Sequence, residues 1–255
     1  MKSSDLPTVV AMISGSFELR LRPYMTYTQH GVMAFLEVHL LHPESFPDKF
    51  FFVSTDENDQ AIGFAEFRLN TTKVGFLSYV CVADHSRGLG VATSLIDHFV
   101  VSRQPLHRLE LDVFDDNSPA LRLYEKLGFV RHEQKAWLRR PLPPPSRPLS
   151  ISQLPSSMAA YAAYGFCELP VEWQGHDIKL GRIGANVLRC FDLQSFSDDT
   201  LLARAKATFP SLTETLTIQT VSDSDPLPSG TVAVNLSNRL VKKFDSKMGS
   251  SGQRV

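Results

Sequence analysis

Apolar and polar positions alternate first over residues 17–22, where Phe17, Leu19 and Leu21 interleave with Glu18, Arg20 and Arg22. A period of two predicts a half-buried strand, and Pro23 ends it. The spacing then changes. Val32, Phe35, Leu36 and Leu40 follow the three-and-four repeat of a helix over residues 31–41. Residues 50–54 and 61–69 read as the two strands of a hairpin, with a polar turn at 55–60. Residues 74–82 form a longer apolar strand that runs into a polar, glycine-containing turn, 83–90. Beyond it Val91, Leu95, Ile96, Phe99 and Val100 recur at helical spacing, and residues 109–113 are again a strand. Ser118 is read as the cap of a second helix, with Pro119 in its first turn and Gly128 at its C-terminal stop. Residues 130–138 complete the pattern as a last strand. Strands and helices in this order predict an α/β (α+β) domain with a mixed sheet.

Ahead of these elements, residues 6–13 are apolar but short, and Asp5 stands where an export signal carries positive charge, so residues 1–16 read as an N-terminal helix or arm. After them, five prolines between Pro141 and Pro148 lock φ and remove amide donors, which predicts a linker over 141–157. A second region, 158–245, shows strand-like stretches at 177–183 and 186–193. A cap at 195–199, a helix over 200–209, a strand at 216–221 and a turn at 222–226 follow. The polar, Ser- and Gly-bearing tail, 246–255, is expected to be disordered.

Composition narrows the function classes. A formal net charge of -1 gives no basic footprint for nucleic acid or anionic lipid. No apolar run reaches membrane-spanning length. Cys81, Cys167 and Cys190 have no metal-type spacing and an odd number of thiols, which fits a reduced, cytoplasmic setting.

The chemistry is concentrated in Arg87-Gly88-Leu89-Gly90-Val91-Ala92. Successive backbone amides at a helix N-terminus, cleared of side-chain bulk by two glycines, form an anion site, and Arg87 adds a cation. The second signature starts at Leu109-Glu110-Leu111-Asp112-Val113 and continues through Asn117-Ser118-Pro119-Ala120-Leu121-Arg122-Leu123-Tyr124 to Gly128-Phe129.

With both motifs in this order, residues 17–140 resemble the GCN5-related N-acetyltransferase (GNAT) superfamily. The resemblance implies a mixed, mostly antiparallel central sheet flanked by helices. It also implies acetyl-CoA as cosubstrate, with its pyrophosphate on the amides of Arg87, Gly88, Leu89, Gly90, Val91 and Ala92. The pantetheine arm would lie along the strand, held by backbone groups of Cys81 and Val82. Asn117 would contact that arm, and Tyr124 would stand near the sulfur as general acid toward the leaving thiolate. The strand leading into the loop has no carboxylate, so Glu66 on the neighbouring strand is the leading candidate for the base, with Asp112, His85 or a water chain as alternatives. Cys81 reads as a small buried hydrophobe and not as a covalent nucleophile.

The implied activity is transfer of an acetyl group to a primary amine of a small molecule or peptide by direct attack. A non-catalytic acyl-CoA-binding regulatory module is the alternative. Tyr24, Tyr27, Glu37, His39 and Glu44 supply the expected acceptor side. Residues 109–119 align without a gap with 216–226, whereas Gln194-Ser195-Phe196-Ser197-Asp198-Asp199 stands at the place of the glycine loop. The smaller α+β C-terminal region therefore reads either as a degenerate GNAT-like half, making a tandem, or as an unrelated domain. The unrelated domain would shape the acceptor pocket or a homodimer interface.

Overall fold

Strands and helices follow one another along the chain, as the changes of spacing in the sequence predict. A computed structural model describes residues 1–103, 105–220, 222 and 226–244. In chain order the helices and strands are α1 (Leu6–Gly15), α2 (Val32–Leu41), β1 (Lys49–Thr55), β2 (Ala61–Thr71) and β3 (Val74–Val82). Next come α3 (Val91–Ser102), β4 (Arg108–Phe114), α4 (Ser118–Lys126), β5 (Val130–Pro141) and α5 (Leu154–Tyr164). The remainder are β6 (Phe166–Trp173), β7 (His176–Ile183), β8 (Val187–Cys190), α6 (Leu193–Ser197), α7 (Asp199–Thr208), β9 (Glu214–Gln219) and β10 (Val232–Lys243).

The chain divides into two compact units. The first takes residues 1–16, 36–134 and 238 onward; the second takes 17–35 and 135–237. Strands β5 and β10 therefore each pass from one unit into the other. In the first unit the strand order is β1-β2-β3-β4-β10-β5. There β1/β2 and β2/β3 are antiparallel and β3/β4 parallel. One face carries the core: Ala65, Phe67, Leu77, Leu95, Ile96, Phe99, Leu109, Leu111 and, from β10, Leu240. The rings of Phe67 and Phe99 stack with centroids 4.1 Å apart, which fastens α3 to β2. Tyr79 of β3 anchors α1 over the opposite face, its hydroxyl meeting the Ser16 hydroxyl and the Ile13 carbonyl.

Two polar residues of β10 are bound tightly into this unit. Arg239 holds Asp112 through two bonds of 2.5 and 2.8 Å and reaches Glu110 at 3.2 Å. Asn238, fully buried, donates to Asp115 at 2.7 Å and accepts from Gln134 at 3.2 Å.

The second unit has its own core, in which Leu169, Leu180, Leu188, Cys190, Phe196, Leu201 and Leu202 are fully enclosed. Its strand order is β6-β7-β8-β9-β5, followed by the first part of β10. Here β6/β7 and β7/β8 are antiparallel and β8/β9 parallel. The β6–β7 reversal places Gln174 and Gly175 at φ 52° and 81°, the two positive angles of a type I′ hairpin turn.

The structure departs from the expectations at four places. Residues 17–22 are not a strand: Leu19 is 77% exposed, and successive turns form instead, with the Leu21 amide donating to Glu18 and the Tyr24 amide to Leu21. Alternation without a neighbouring strand to pair with gave no ladder, and Pro23 favours the short 3-10 turn Arg22–Tyr24. The proline run lies inside the second unit, where Leu149 and Ile151 are buried in the core and Leu142 and Ser146 donate to the Thr213 and Ala203 carbonyls. Strand β10, α5 and β6 were not read from the pattern. The cap read at Ser118 belongs to Asn117, as described below. The tail 246–255 and part of the expected strand and turn at 216–226 lie outside the described residues. Among the described residues, no helix is long and apolar enough to cross a membrane.

Candidate active site

The site grows from a break in the sheet of the first unit. Strand β3 pairs with β4 only from Val74 to Leu77. At that point a bulge at Ser78 shifts the register with β2, so that Phe67 faces Leu77 while Glu66 faces Tyr79. The rest of β3, from Ser78 to Val82, continues beside β2 with β4 no longer on its other edge. The Ala83 amide donates to the Ile62 carbonyl at 2.9 Å. Direction alternates along an antiparallel ladder, so Cys81 also turns its backbone toward β2, opposite Phe64. Val80 and Val82 turn theirs into the opening. The sequence reading assigned this role to Cys81 and Val82; the ladder moves the first of them to Val80.

The chain leaves β3 into the glycine loop. Gly88 and Gly90 have φ of 80° and 82°, and Gly90 is the residue before α3. No side chain caps that helix, so its leading amides present their partial positive charge outward. Arg87 and Leu89 are exposed, Leu89 at 74%, and Arg87 pairs with Asp84 at 2.8 Å. Val91 is buried and anchors the start of the helix; Ala92 is half-buried beside it. The open strand edge and the uncapped amides are the two features a long chain ending in a pyrophosphate requires, one for the chain and one for the phosphates.

Helix α4 follows the second motif. The Asn117 side chain accepts from the Ala120 amide at 3.2 Å and is the true cap; Ser118 and Pro119 occupy the first turn. Replacing Asn117 with alanine is expected to cost about 1 kcal/mol of stability, read from chemical denaturation; an unchanged midpoint would remove the cap from the account. At the other end the Gly128 amide donates to Glu125 and the Phe129 amide to Tyr124. With Gly128 at φ 82° this is a Schellman motif. Its apolar contact is the Tyr124–Phe129 ring pair, 5.6 Å between centroids. The Tyr-x-x-x-Gly-Phe pattern thus has a folding reason of its own.

Burial sets the protonation states. The Tyr124 phenol is enclosed and its pKa raised by desolvation. Tyr79 is raised by burial and, to a smaller degree, by the neighbouring Cys81 and Tyr124. Burial pushes the Cys81 thiol up to about 12, with only partial opposition from the Phe64 backbone and Arg87. A thiol held that high stays protonated and is a poor nucleophile. Glu66 is 3% exposed. Burial pushes its carboxyl up to about 8 against the opposing charge of Arg68. It lies across from Tyr79, on the face shared with Phe64 and Cys81. The alternative bases have other places: Asp112 is held by Arg239, and His85 is exposed.

The residues expected on the acceptor side divide between the units. Glu37, His39 and Glu44 belong to the first, Tyr24 and Tyr27 to the second. His39 is buried, stacked on Phe46 at 3.8 Å and 3.1 Å from the Lys49 ammonium. Glu37 and Glu44 are exposed. The Tyr24 hydroxyl donates to Glu214 at 3.2 Å. Among the described residues, no group of three or more His, Cys, Asp or Glu side chains is placed to hold a metal ion.

A sequence model described as the acetyltransferase (GNAT) family matches residues 16–129. No curated protein matches the chain in sequence. Among solved structures, a GCN5-related N-acetyltransferase from Sphaerobacter thermophilus aligns over 95% of this chain and 94% of its own, with a TM-score of 0.59 at 12% identity. That is a likeness of fold. Ard1 from Thermoplasma volcanium is 25% identical over 52% of this chain and 82% of its own, with a TM-score of 0.42. A spermidine N-acetyltransferase from Vibrio cholerae, solved with CoA and spermine, is 20% identical over 53% of this chain and 81% of its own, with a TM-score of 0.44.

Proposed function

We propose, since residues 16–129 match the model of the acetyltransferase (GNAT) family, that the first unit moves an acetyl group from acetyl-CoA to a primary amine of a small molecule or peptide. The observation that carries the reading is the open edge of β3 leading into the uncapped, twice-glycine N-terminus of α3. Pantetheine pairs along Val80 and Val82 as an added strand, and the pyrophosphate rests on the amides from Arg87 to Ala92. The thioester carbonyl then lies at the bulge, where a backbone amide of the open edge holds the oxyanion that develops on attack.

Direct attack by the amine is favoured over a covalent acyl-enzyme because the only thiol on β3, Cys81, is held protonated. Glu66, lifted close to neutral pH, is the group suited to take the ammonium proton, directly or through a water. Tyr124 remains a phenol at any working pH, so its part is to donate a hydrogen bond to the departing sulfur.

The test is release of free thiol from acetyl-CoA against a panel of polyamines, amino acids, aminoglycosides and peptides. Thiol release that requires both acetyl-CoA and an amine is expected. Tyr124→Phe keeps the ring contact with Phe129 and is expected to lose about 10²-fold in kcat, with KM for acetyl-CoA unchanged. Thermal stabilisation by coenzyme A without turnover on any amine would instead make the chain an acyl-CoA-binding module.

A further inference from the structure

We infer that the second unit is a second copy of the same fold whose cofactor groove is closed by its own groups, so that the chain takes up a single coenzyme A, in the first unit. The inference rests on the proposed function of the first unit. Its own grounds are the order and sense of the strands. Along the first half of the chain a helix, α2, precedes two antiparallel pairings, β1/β2 and β2/β3, then a helix, then a parallel pairing, β3/β4. In the second, α5 precedes β6/β7 and β7/β8, both antiparallel, then two helices, then the parallel β8/β9. The closing strands also correspond. The first unit ends β4-β10-β5 and the second β9-β5-β10. Each repeat thus lends its last strand to the other, a pattern that two unrelated domains have no reason to share.

The features that make the first groove are each replaced in the second. Between the last parallel pair and the helix, the first unit inserts the open edge and glycine loop, Ser78 to Gly90. The second has only Cys190, Phe191 and Asp192 between Arg189 and α6. The Gln219 side chain donates to the Phe191 carbonyl at 2.8 Å and so takes up a backbone group at the point where the groove would start. The amides at both helix starts are already satisfied: Asp192 accepts from Ser195 at 2.6 Å and Asp198 from Leu201 at 2.9 Å. Those two carboxylates also repel a pyrophosphate. Between β9 and β10 the described residues form no helix, so none of them supplies a counterpart of α4 with its Asn117 and Tyr124.

Titration calorimetry of the full chain with coenzyme A, paired with amide hydrogen exchange, tests this. One equivalent is expected, lost in Arg87→Glu and retained in Asp192→Asn, with exchange slowed over residues 87–92 and unchanged over 192–202. Circular dichroism establishes that each variant is folded, and exchange on the wild type locates the ligand without any substitution. Two equivalents, one of them slowing exchange at 192–202, would overturn the inference and leave the acetyltransferase reading standing; a single one that slows exchange at 192–202 and not at 87–92 would overturn both. No binding at all would overturn both.

Discussion

A chain ending at Gly230, which lacks β10, is expected to lose the cooperative thermal transition of the first unit and all coenzyme A binding. The loss follows from what β10 touches. Leu240 is buried in the first core, and Asn238 is fully enclosed. Arg239 binds Asp112 and Glu110, and Glu110 is only 8% exposed. Removing Arg239 costs about 1.5–3 kcal/mol as lost hydrogen bonds to charged groups, with Glu110 keeping Arg108 at 2.7 Å, and a buried leucine contributes about 2–3 kcal/mol more. Set against a total domain stability of about 5–15 kcal/mol, these losses are a large share before the two strand edges left by β10 are counted. Calorimetric melting and coenzyme A titration of the truncated chain check it. A truncated protein that melts cooperatively and binds would show that β10 is dispensable. The same reasoning applies to the segment 16–129 expressed alone, which lacks α1, β5 and β10.

Replacing Glu66 with glutamine is expected to lower kcat/KM by about 10²–10⁴-fold and yet to stabilise the protein in alkali. The carboxyl rises from its ordinary 4.5 to about 8 on folding. A group raised in this way favours the folded state below pH 4.5, and that contribution is lost as pH climbs through 8. Above that range the folded protein carries a buried charge that the unfolded chain holds at no cost, a penalty on the order of a few kcal/mol. Glutamine removes the penalty without changing shape. Activity runs the other way: a base is useful once deprotonated, so kcat/KM of the wild type rises through pH 8, and the variant loses that limb. Melting curves and pH–rate profiles of both proteins separate the two effects. A variant stabilised at pH 9 but as active as wild type would leave Glu66 a buried residue and nothing more.

The parts of the first unit that could be read in advance share one property: their signals are local. The turn 83–90, the helix after it and the motif from Asn117 to Phe129 are each written within a few residues, because helix starts and Schellman stops are built from neighbours. Even there, the spacing could not separate Ser118 from Asn117 as the cap, since both residue types cap helices. What escaped was non-local. Strand β10 carries Asn235, Ser237, Asn238 and Arg239, a polar run that looks like loop until the partners on β4 and after it are known. Strand β6 contains Pro170, which argues against a central strand but is tolerated at the sheet edge that β6 occupies. The choice between Cys81 and Val80 depended on which way the ladder with β2 ran, a fact of pairing and not of composition. Glu66 was a candidate from its residue type and strand; its burial, and the raised pKa that burial causes, belong to the folded state alone.

The exchange of β5 and β10 also has a consequence in time. A ribosome releases β1 to β4 early, but the strand that separates β4 from β5, starting at Val232, emerges only after more than a hundred residues beyond Phe114 have been made. Until then the nascent first half must wait with Asp112 lacking its Arg239 partner and two strand edges exposed, the condition under which chains aggregate or recruit chaperones. The pairing of β10 is among the longest-range in the molecule, and such contacts form slowly. Folding of this protein is therefore gated by synthesis: the half that carries the glycine loop is translated first and completed last.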